Sequence, residues 1–380
     1  MNKIPVIYYH SVAPKKNKGW YKNYLTLELR YFEDMLRYLS AQNYQFLFVE
    51  EYLEKREGAP EKQKMVCLNF DDGCLDNYVY AYPLLLKYNA KATIFVNPEF
   101  VPKETNIRRT LKDVWDGNCK LEELEELGFC NWREMALMEH SGAVDIQSHT
   151  LTHTKHYFND AIKDFHHPKA NYLYPIANRF STLKPYYITD PSFIQSIPFG
   201  TPFFEEKSAV LVRRIWINPD FEEACVNALK SYDWNQYDKK ECLEKIAHLY
   251  TNFKQSNTLI IKEETLEEYE NRVWLELLES KRIISEQLQK EVKYCCWPHG
   301  DHNDFAHQTA LKAGYKATTI VLEHGQINTD ATRFDRIGHA NVKNSRMLTL
   351  LKMRYKLSLC TGNVLFSWID RWYFKWKYGK

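Results

Sequence analysis

The stretch that most limits what this chain can fold into is Met65-Val66-Cys67-Leu68-Asn69-Phe70-Asp71-Asp72-Gly73. It starts as a short apolar run, the composition of a buried strand. It stops on two adjacent carboxylates and a glycine. Neighbouring acids at the end of a buried strand repel each other and lose solvation. A cation between them, or a proton on one of them, meets that cost. Asp-Gly can also be an ordinary turn cap. A second stretch, Asp145-Ile146-Gln147-Ser148-His149-Thr150-Leu151-Thr152-His153, favours the cation.

His149 and His153 stand four apart behind another strand-like run. One turn of helix would turn both imidazoles the same way, so the spacing predicts a helical pair gripping one ion. With one carboxylate they offer two nitrogens and one oxygen. Such a set leaves positions open for water and substrate, as in a catalytic metal site. Only one aspartate is needed as a ligand. The other can take a proton from a water whose pKa the metal lowers toward about 7. Attack on a carbonyl also needs an oxyanion partner, which the metal and a backbone N–H near Pro298-His299-Gly300 can supply. A leaving amine needs an acid, and His10, at the end of the first strand-like run, is the candidate.

The rest of the chain alternates strand-like and helix-like segments. Strands are expected at 4–9, 46–49, 65–70, 92–96, 143–147, 294–297 and 317–322, with a last one ending near 335–339. Helices are expected at 26–39, capped by Thr26, at 49–55, at 75–88 with a kink at Pro83, and at 131–138, capped by Asn131. The alternation predicts an α/β fold with parallel strands. Between 155 and 264 prolines and aromatics crowd together, which reads as an insertion or lid followed by helices near 221–231 and 238–254. Thr265 and Glu268 then form a capping-box pattern before a long amphipathic helix.

Composition narrows the partners. A net charge of +2 gives no general attraction to nucleic acid. The first residues are too short and too polar a run for a signal peptide, and no stretch of 18 apolar residues occurs. The nine cysteines are irregularly spaced with no Cys-x-x-Cys pair, so a zinc ribbon is excluded and a cytoplasmic setting is expected. Residues 346–380 carry a net +7 and the remainder −5. Trp368, Trp372 and Trp376 fall on one helical stripe beside Arg371, Lys375, Lys377 and Lys380. That pattern suits a peripheral contact with the inner face of a membrane, or equally a helix closing a barrel.

In combination these segments resemble the polysaccharide deacetylases of the NodB-homology type, carbohydrate esterase family four. Asn69-Phe70-Asp71-Asp72-Gly73 resembles the first motif and Ser148-His149-Thr150-Leu151-Thr152-His153 the second. Trp297-Pro298-His299-Gly300 resembles the third, and Leu311 to Gly314 the helix after it. Ile7-Tyr8-Tyr9-His10-Ser11 resembles the opening of the poly-N-acetylglucosamine deacetylase branch. The resemblance implies a distorted (β/α) barrel of about seven strands, in two parts, 1–154 and 265–345. Between them lies the insertion 155–264, and after them the basic tail 346–380.

The same resemblance implies Asp71 as base, His10 as acid and a backbone donor at His299. It implies Asp72, His149 and His153 around one divalent metal, zinc first and cobalt, nickel or manganese as alternatives. Pro298, Gly300 and Arg336 are expected at the substrate. The implied reaction removes N-acetyl groups from an N-acetylated sugar in a polysaccharide or lipid-linked glycan. A barrel that binds carbohydrate without turnover, and a metal hydrolase of another amide or ester, stay open beside it. Three features depart from the family pattern. His299 stands where Tyr or Phe is usual. Cys296 stands near the place of an arginine that orients the base, a role open to Arg336. The insertion has no counterpart, and its aromatics either shape substrate choice or simply pack a subdomain.

Overall fold

The computed structural model describes residues 4–18, 20, 22–58, 63–170, 177–190, 192–321, 328–339 and 345–360. The strands Val6–Tyr9, Met65–Phe70, Ala92–Val96, Val144–Ser148, Tyr294–Cys295 and Ala317–Ile320 pair side by side in parallel. The last extended segment closes the ring. Its first piece, Arg333–Asp335, pairs with Ala317–Ile320, and its second, Ile337–Gly338, pairs with Val6–Tyr9. Seven strand positions thus go once round, as expected. Gln45–Leu47 adds an eighth, paired to Met65–Cys67 at the end away from Asp71. Ala92–Val96 takes the same edge further up, at Asn69 and Phe70, and this shared edge distorts the ring.

Side chains alternate across each strand, and two separate apolar clusters result. Val6, Cys67, Phe95, Tyr294, Cys296 and Phe334 fill the lumen. Ile7, Tyr9, Leu68, Phe70, Ile94, Ile146 and Cys295 face outward under the helices. The inward parity continues past the strand ends and carries Tyr8 to His10, Asn69 to Asp71 and Gln147 to His149. A strand buried on both faces must read as a continuous apolar run, which is what 65–70 and 92–96 are.

Two helix expectations shift. The first helix is Leu29–Ala41 and not 26–39, because Thr26–Glu28 pairs as a short strand with Ser11–Ala13 and Thr26 Oγ1 bonds Ser11 Oγ at 2.9 Å. Over 75–88 the chain makes a π-helical turn, Asn77–Ala81, before Tyr82–Lys87. Pro83 lacks the N–H that an α-helix would use four residues back, and the wider turn precedes it. Asn131 caps its helix and Thr265 forms its capping box as expected, and Asn131 forms a capping box with Glu134 as well.

Between 155 and 264 lie a long hairpin, Lys155–Phe165 with Pro202–Ser208, a short pair, Ile215–Ile217 with Ile260–Glu263, and the helices Pro219–Ala228 and Lys239–Ser256. Phe165, Phe203, Phe204 and Phe221 are fully buried. Those aromatics therefore build the core of this region.

The described part of the tail is the helix Arg346–Cys360. Arg346 pairs with Asp34, Met353 and Leu357 are buried, and Met347, Leu348 and Leu351 are exposed. Trp368, Trp372 and Trp376 lie outside the described residues. Among the described residues no helix is long and apolar enough to cross a membrane.

Candidate active site

The carboxyl ends of the strands meet in an open cleft of about 660 Å³. Asp71, Asp72, His10, His149, His153, His299, Gly300 and Arg336 all line it, while Pro298 is buried beneath its turn. Of the expected site residues only Pro298 is not on the surface of the cleft. Among the described residues the insertion lines this cleft through Lys155, and its Tyr187 lines a small adjoining cavity together with Asp72 and His153.

Asp71 sits in a clamp. Arg336 Nη1 and Nη2 donate to its two oxygens at 2.7 and 2.9 Å. Such a fork on a carboxylate fixes orientation as well as charge. Burial opposes ionisation of Asp71, but Arg336 and then His149 more than offset it and hold the carboxyl below its ordinary range. Arg336 stands between the two pieces of the closing strand, 4.7 Å over the Tyr8 ring. It lines the cleft, and its guanidinium meets Asp71 in the role that Cys296 leaves open and for which Arg336 was the candidate. Cys296 Sγ lies 3.7 Å from Asp71 Oδ1.

Asp72 turns the other way. Its φ of +72° and that of Gly73, +66°, break the strand. A Cβ on Gly73 would lie 2.9 Å from Val96 Cγ1, so the turn needs glycine. His149 Nε2 and His153 Nε2 both face Asp72 Oδ1, at 3.4 and 3.3 Å. No helical turn carries the pair. Residues 149–154 are a loop in which Thr150 and His153 have φ of +64° and +45°. The rings still come within 5.1 Å because the inward parity of the strand aims His149 and the left-handed residues swing His153 back. Non-glycine residues hold such angles at a cost of about 1–3 kcal/mol each, which the surroundings must offset.

Those surroundings are specific. Asn97 Nδ2 donates to the carbonyls of His149 and Thr150. Glu276 Oε1 accepts from Thr152 N and Oγ1 at 2.8 and 2.9 Å. Lys184, from the insertion, donates to Thr152 O at 2.9 Å. None of these three stood out in the sequence. Only Asn97, directly behind a strand end, carried a local signal.

The donor set fits a divalent cation. Asp72 Oδ1 is buried with no hydrogen-bond partner, which in a protein interior calls for an unseen partner. His149 Nδ1 bonds the Cys296 carbonyl at 2.8 Å, which puts the proton there and leaves the Nε2 lone pair toward Asp72. Burial pushes His153 down to about 4, so it stays neutral near pH 7. Burial works against His149 too, yet the groups of Cys296 and the carboxylates of Asp72 and Asp71 hold it well above its usual value. A second group, Asp71 with His149 and Cys296, is also close enough for an ion. Both Asp71 oxygens are already committed to Arg336, so the set on Asp72 is the better cage.

The acid and the oxyanion donor are placed by turns. His10 Nε2 is 4.0 Å from Asp71 Oδ2. Its segment is pinned by Asn77 Nδ2 on the His10 carbonyl at 2.8 Å and by Ser11 Oγ on Asp76 at 2.5 Å. In the turn 298–300, proline has no N–H, and the Gly300 N–H bonds Trp297 O at 3.0 Å. The backbone N–H expected as oxyanion donor, that of His299, belongs to this turn at the edge of the cleft. His299 has φ +62° and its ring lies 4.7 Å from that of His153. Burial, with His153 beside it, keeps the His299 imidazole neutral.

Asp76 makes a measurable prediction. It is buried, and burial raises its pKa to about 7 in spite of the hydrogen bond from Ser11. A carboxyl raised in the fold stabilises below its unfolded pKa of about 3.9, and that stability is lost as pH rises through the folded value. The wild-type protein should lose on the order of 2–3 kcal/mol between pH 5 and pH 8 from this one group. In Asp76→Asn the fall in melting temperature across that window should shrink; an unchanged slope would mean that Asp76 is ionised throughout.

Residues 58–171, which hold both the paired aspartates and the paired histidines, match the family model described as polysaccharide deacetylase. YxkH of Bacillus subtilis (strain 168), provisionally named a polysaccharide deacetylase, is 37% identical over 95 residues. That alignment covers 25% of this chain and 32% of YxkH, so the match spans about a third of the relative's length. Two solved structures share the fold. One is a de-N-acetylase from Aggregatibacter actinomycetemcomitans, with a TM-score of 0.51 and 18% identity, over 88% of this chain and 94% of that one. The other is the BpsB deacetylase domain from Bordetella bronchiseptica, with a TM-score of 0.50 and 17% identity, over 88% and 95%. Residues 58–171 are therefore similar to the polysaccharide deacetylase family, and they are set in a (β/α) barrel whose fold the two deacetylase structures share.

Proposed function

We propose that this protein is a hydrolase that removes an N-acetyl group from an N-acetylated sugar in a glycan, with one divalent metal, zinc first, held by Asp72, His149 and His153. The observation that carries the reading is Asp71: a buried carboxylate clamped by Arg336, beside a three-donor cage, at the floor of an open cleft. Binding alone needs no such base, and this counts against a silent carbohydrate-binding barrel. Bound there, a divalent metal would polarise the acetyl carbonyl and acidify the attacking water.

The residues divide the remaining work. Asp71 accepts the proton of the water, and Arg336 keeps Asp71 ionised and aimed. The His299 N–H faces the developing oxyanion. His10, across from Asp71, protonates the nitrogen as the C–N bond breaks, so acetate and a free amine leave. The experiment is acetate release from a panel of N-acetylated glycans, lipid-linked glycans, nucleotide sugars and simple amides, with and without metal. Release from no N-acetylated sugar, but from another amide or ester, would transfer the chemistry to the alternative class.

A cytoplasmic, membrane-peripheral setting belongs to the same proposal and rests on the basic tail. Its described helix exposes Met347, Leu348 and Leu351 beside Lys352 and Arg354. Apolar side chains flanked by cations suit an anionic bilayer. The full chain should co-sediment with anionic vesicles, and a chain ending at 362 should do so less. Equal sedimentation of both would remove the tryptophan stripe from the argument.

A further inference from the structure

Behind the loop that carries His153 lies a second opening, a groove of about 470 Å³ between the insertion and the helix Leu266–Leu288. Thr152 and Thr154 line it, so it shares a wall with the metal-ligand loop. Three carboxylates, Glu99, Glu268 and Glu276, and three cations, Lys184, Arg214 and Arg272, line it, and Glu276 is taken up by the N–H and hydroxyl of Thr152. Lys184 is paired with Glu99 at 2.5 Å, and Glu268 with Lys262 at 2.8 Å. Arg272 takes both oxygens of Glu264, at 2.7 and 2.8 Å. Arg214 reaches Glu264 only through its backbone N–H, at 2.9 Å. Among the described residues its guanidinium makes no ion pair, although Glu264 is near enough to attract it, and it lies 4.4 Å over the Trp216 ring.

His156 lines the same groove, and among the described residues its ring makes no hydrogen bond. Burial, together with Arg272, Arg214 and Lys184, pushes it down to about 3. A guanidinium stacked on an aromatic face is pre-organised, and its donor fork matches phosphate and carboxylate.

We propose that this groove is a binding site for a small phosphate- or carboxylate-bearing ligand, with Arg214 as the charge that meets the anion and His156 as its second polar contact. The groove exists only because the insertion docks on the barrel, which gives the insertion a role that its buried aromatics do not. The site stands independently of what the barrel hydrolyses.

The test uses the full chain and inorganic phosphate, followed by calorimetry. The wild type should bind phosphate saturably, and Arg214→Gln should weaken binding by about tenfold or more, as expected for loss of a charge-assisted contact. His156→Gln serves as a second variant if Arg214→Gln fails to fold, and it should weaken binding by a smaller factor. An oligosaccharide bearing uronic acids separates the sources. If it competes with phosphate, the ligand is an acidic group of a glycan; if it does not while phosphate still depends on Arg214, the ligand is a free small anion. No saturable binding to the wild type, or equal affinity in the folded variants, overturns the site.

Discussion

Asp71→Asn should lose acetate release by about 10²–10⁴-fold while keeping its metal. Asparagine preserves the size of the side chain and can still accept from one arm of Arg336. It cannot take a proton from water near pH 7. The substitution also turns an N–H₂ toward one guanidinium donor, so the buried Arg336 loses a partner and its compensating charge. Breaking one side of a buried pair costs on the order of 3–5 kcal/mol. Melting temperature should therefore fall, and turnover must be measured well below both transitions. Metal content by elemental analysis separates the two effects, since no donor on the Asp72 set is altered. Turnover near the wild-type level in the folded, metal-loaded variant would take the role of base away from Asp71.

Arg336 shows how far the sequence could be read and where it stopped. The strand-end motifs were legible because each is local. A buried strand must be apolar, and a polar cluster directly behind it must sit at the mouth of a barrel. The alternation then predicted parallel strands, and the inward parity through residues 65–71 and 145–149 aims the side chains as found. Arg336 is 265 residues from Asp71, and only the closing of the ring brings them together. Its place between two half-strands, one pairing with each edge, left no periodic signal to find.

The misreading of His149 and His153 has a different cause. A spacing of four means one helical face only if the backbone is helical. Here the same proximity comes from left-handed residues braced by Asn97, Glu276 and Lys184, contacts that cross 53, 124 and 32 residues in sequence. A pattern can name the ligands without naming the backbone that presents them. The insertion was opaque for the opposite reason. Its aromatics gave a strong compositional signal, yet composition does not tell a buried ring from one lining a cleft. Phe165, Phe203, Phe204 and Phe221 proved to be core.

The second large effect concerns the cage itself. His153→Ala should bind metal at least about 100-fold more weakly, beyond the usual loss from changing a group that only supports a ligand. Asp72 Oδ1 would keep one imidazole, His149, and one nitrogen with one oxygen is a poor cage for a catalytic ion. Alanine at a φ of +45° adds a backbone penalty, so a loss of fold could imitate a loss of ligand. His153→Asn answers this. Asparagine tolerates the left-handed angle, but its short side chain cannot replace the imidazole nitrogen 3.3 Å from Asp72. Both variants should melt cooperatively and titrate with zinc far more weakly than the wild type. Cys296→Ser completes the comparison, because Cys296 belongs to the other possible set, with Asp71 and His149. If zinc affinity falls in Cys296→Ser and not in the two His153 variants, the ion sits on the Asp71 side. Asp71 would then be a ligand, and the base would have to be sought elsewhere.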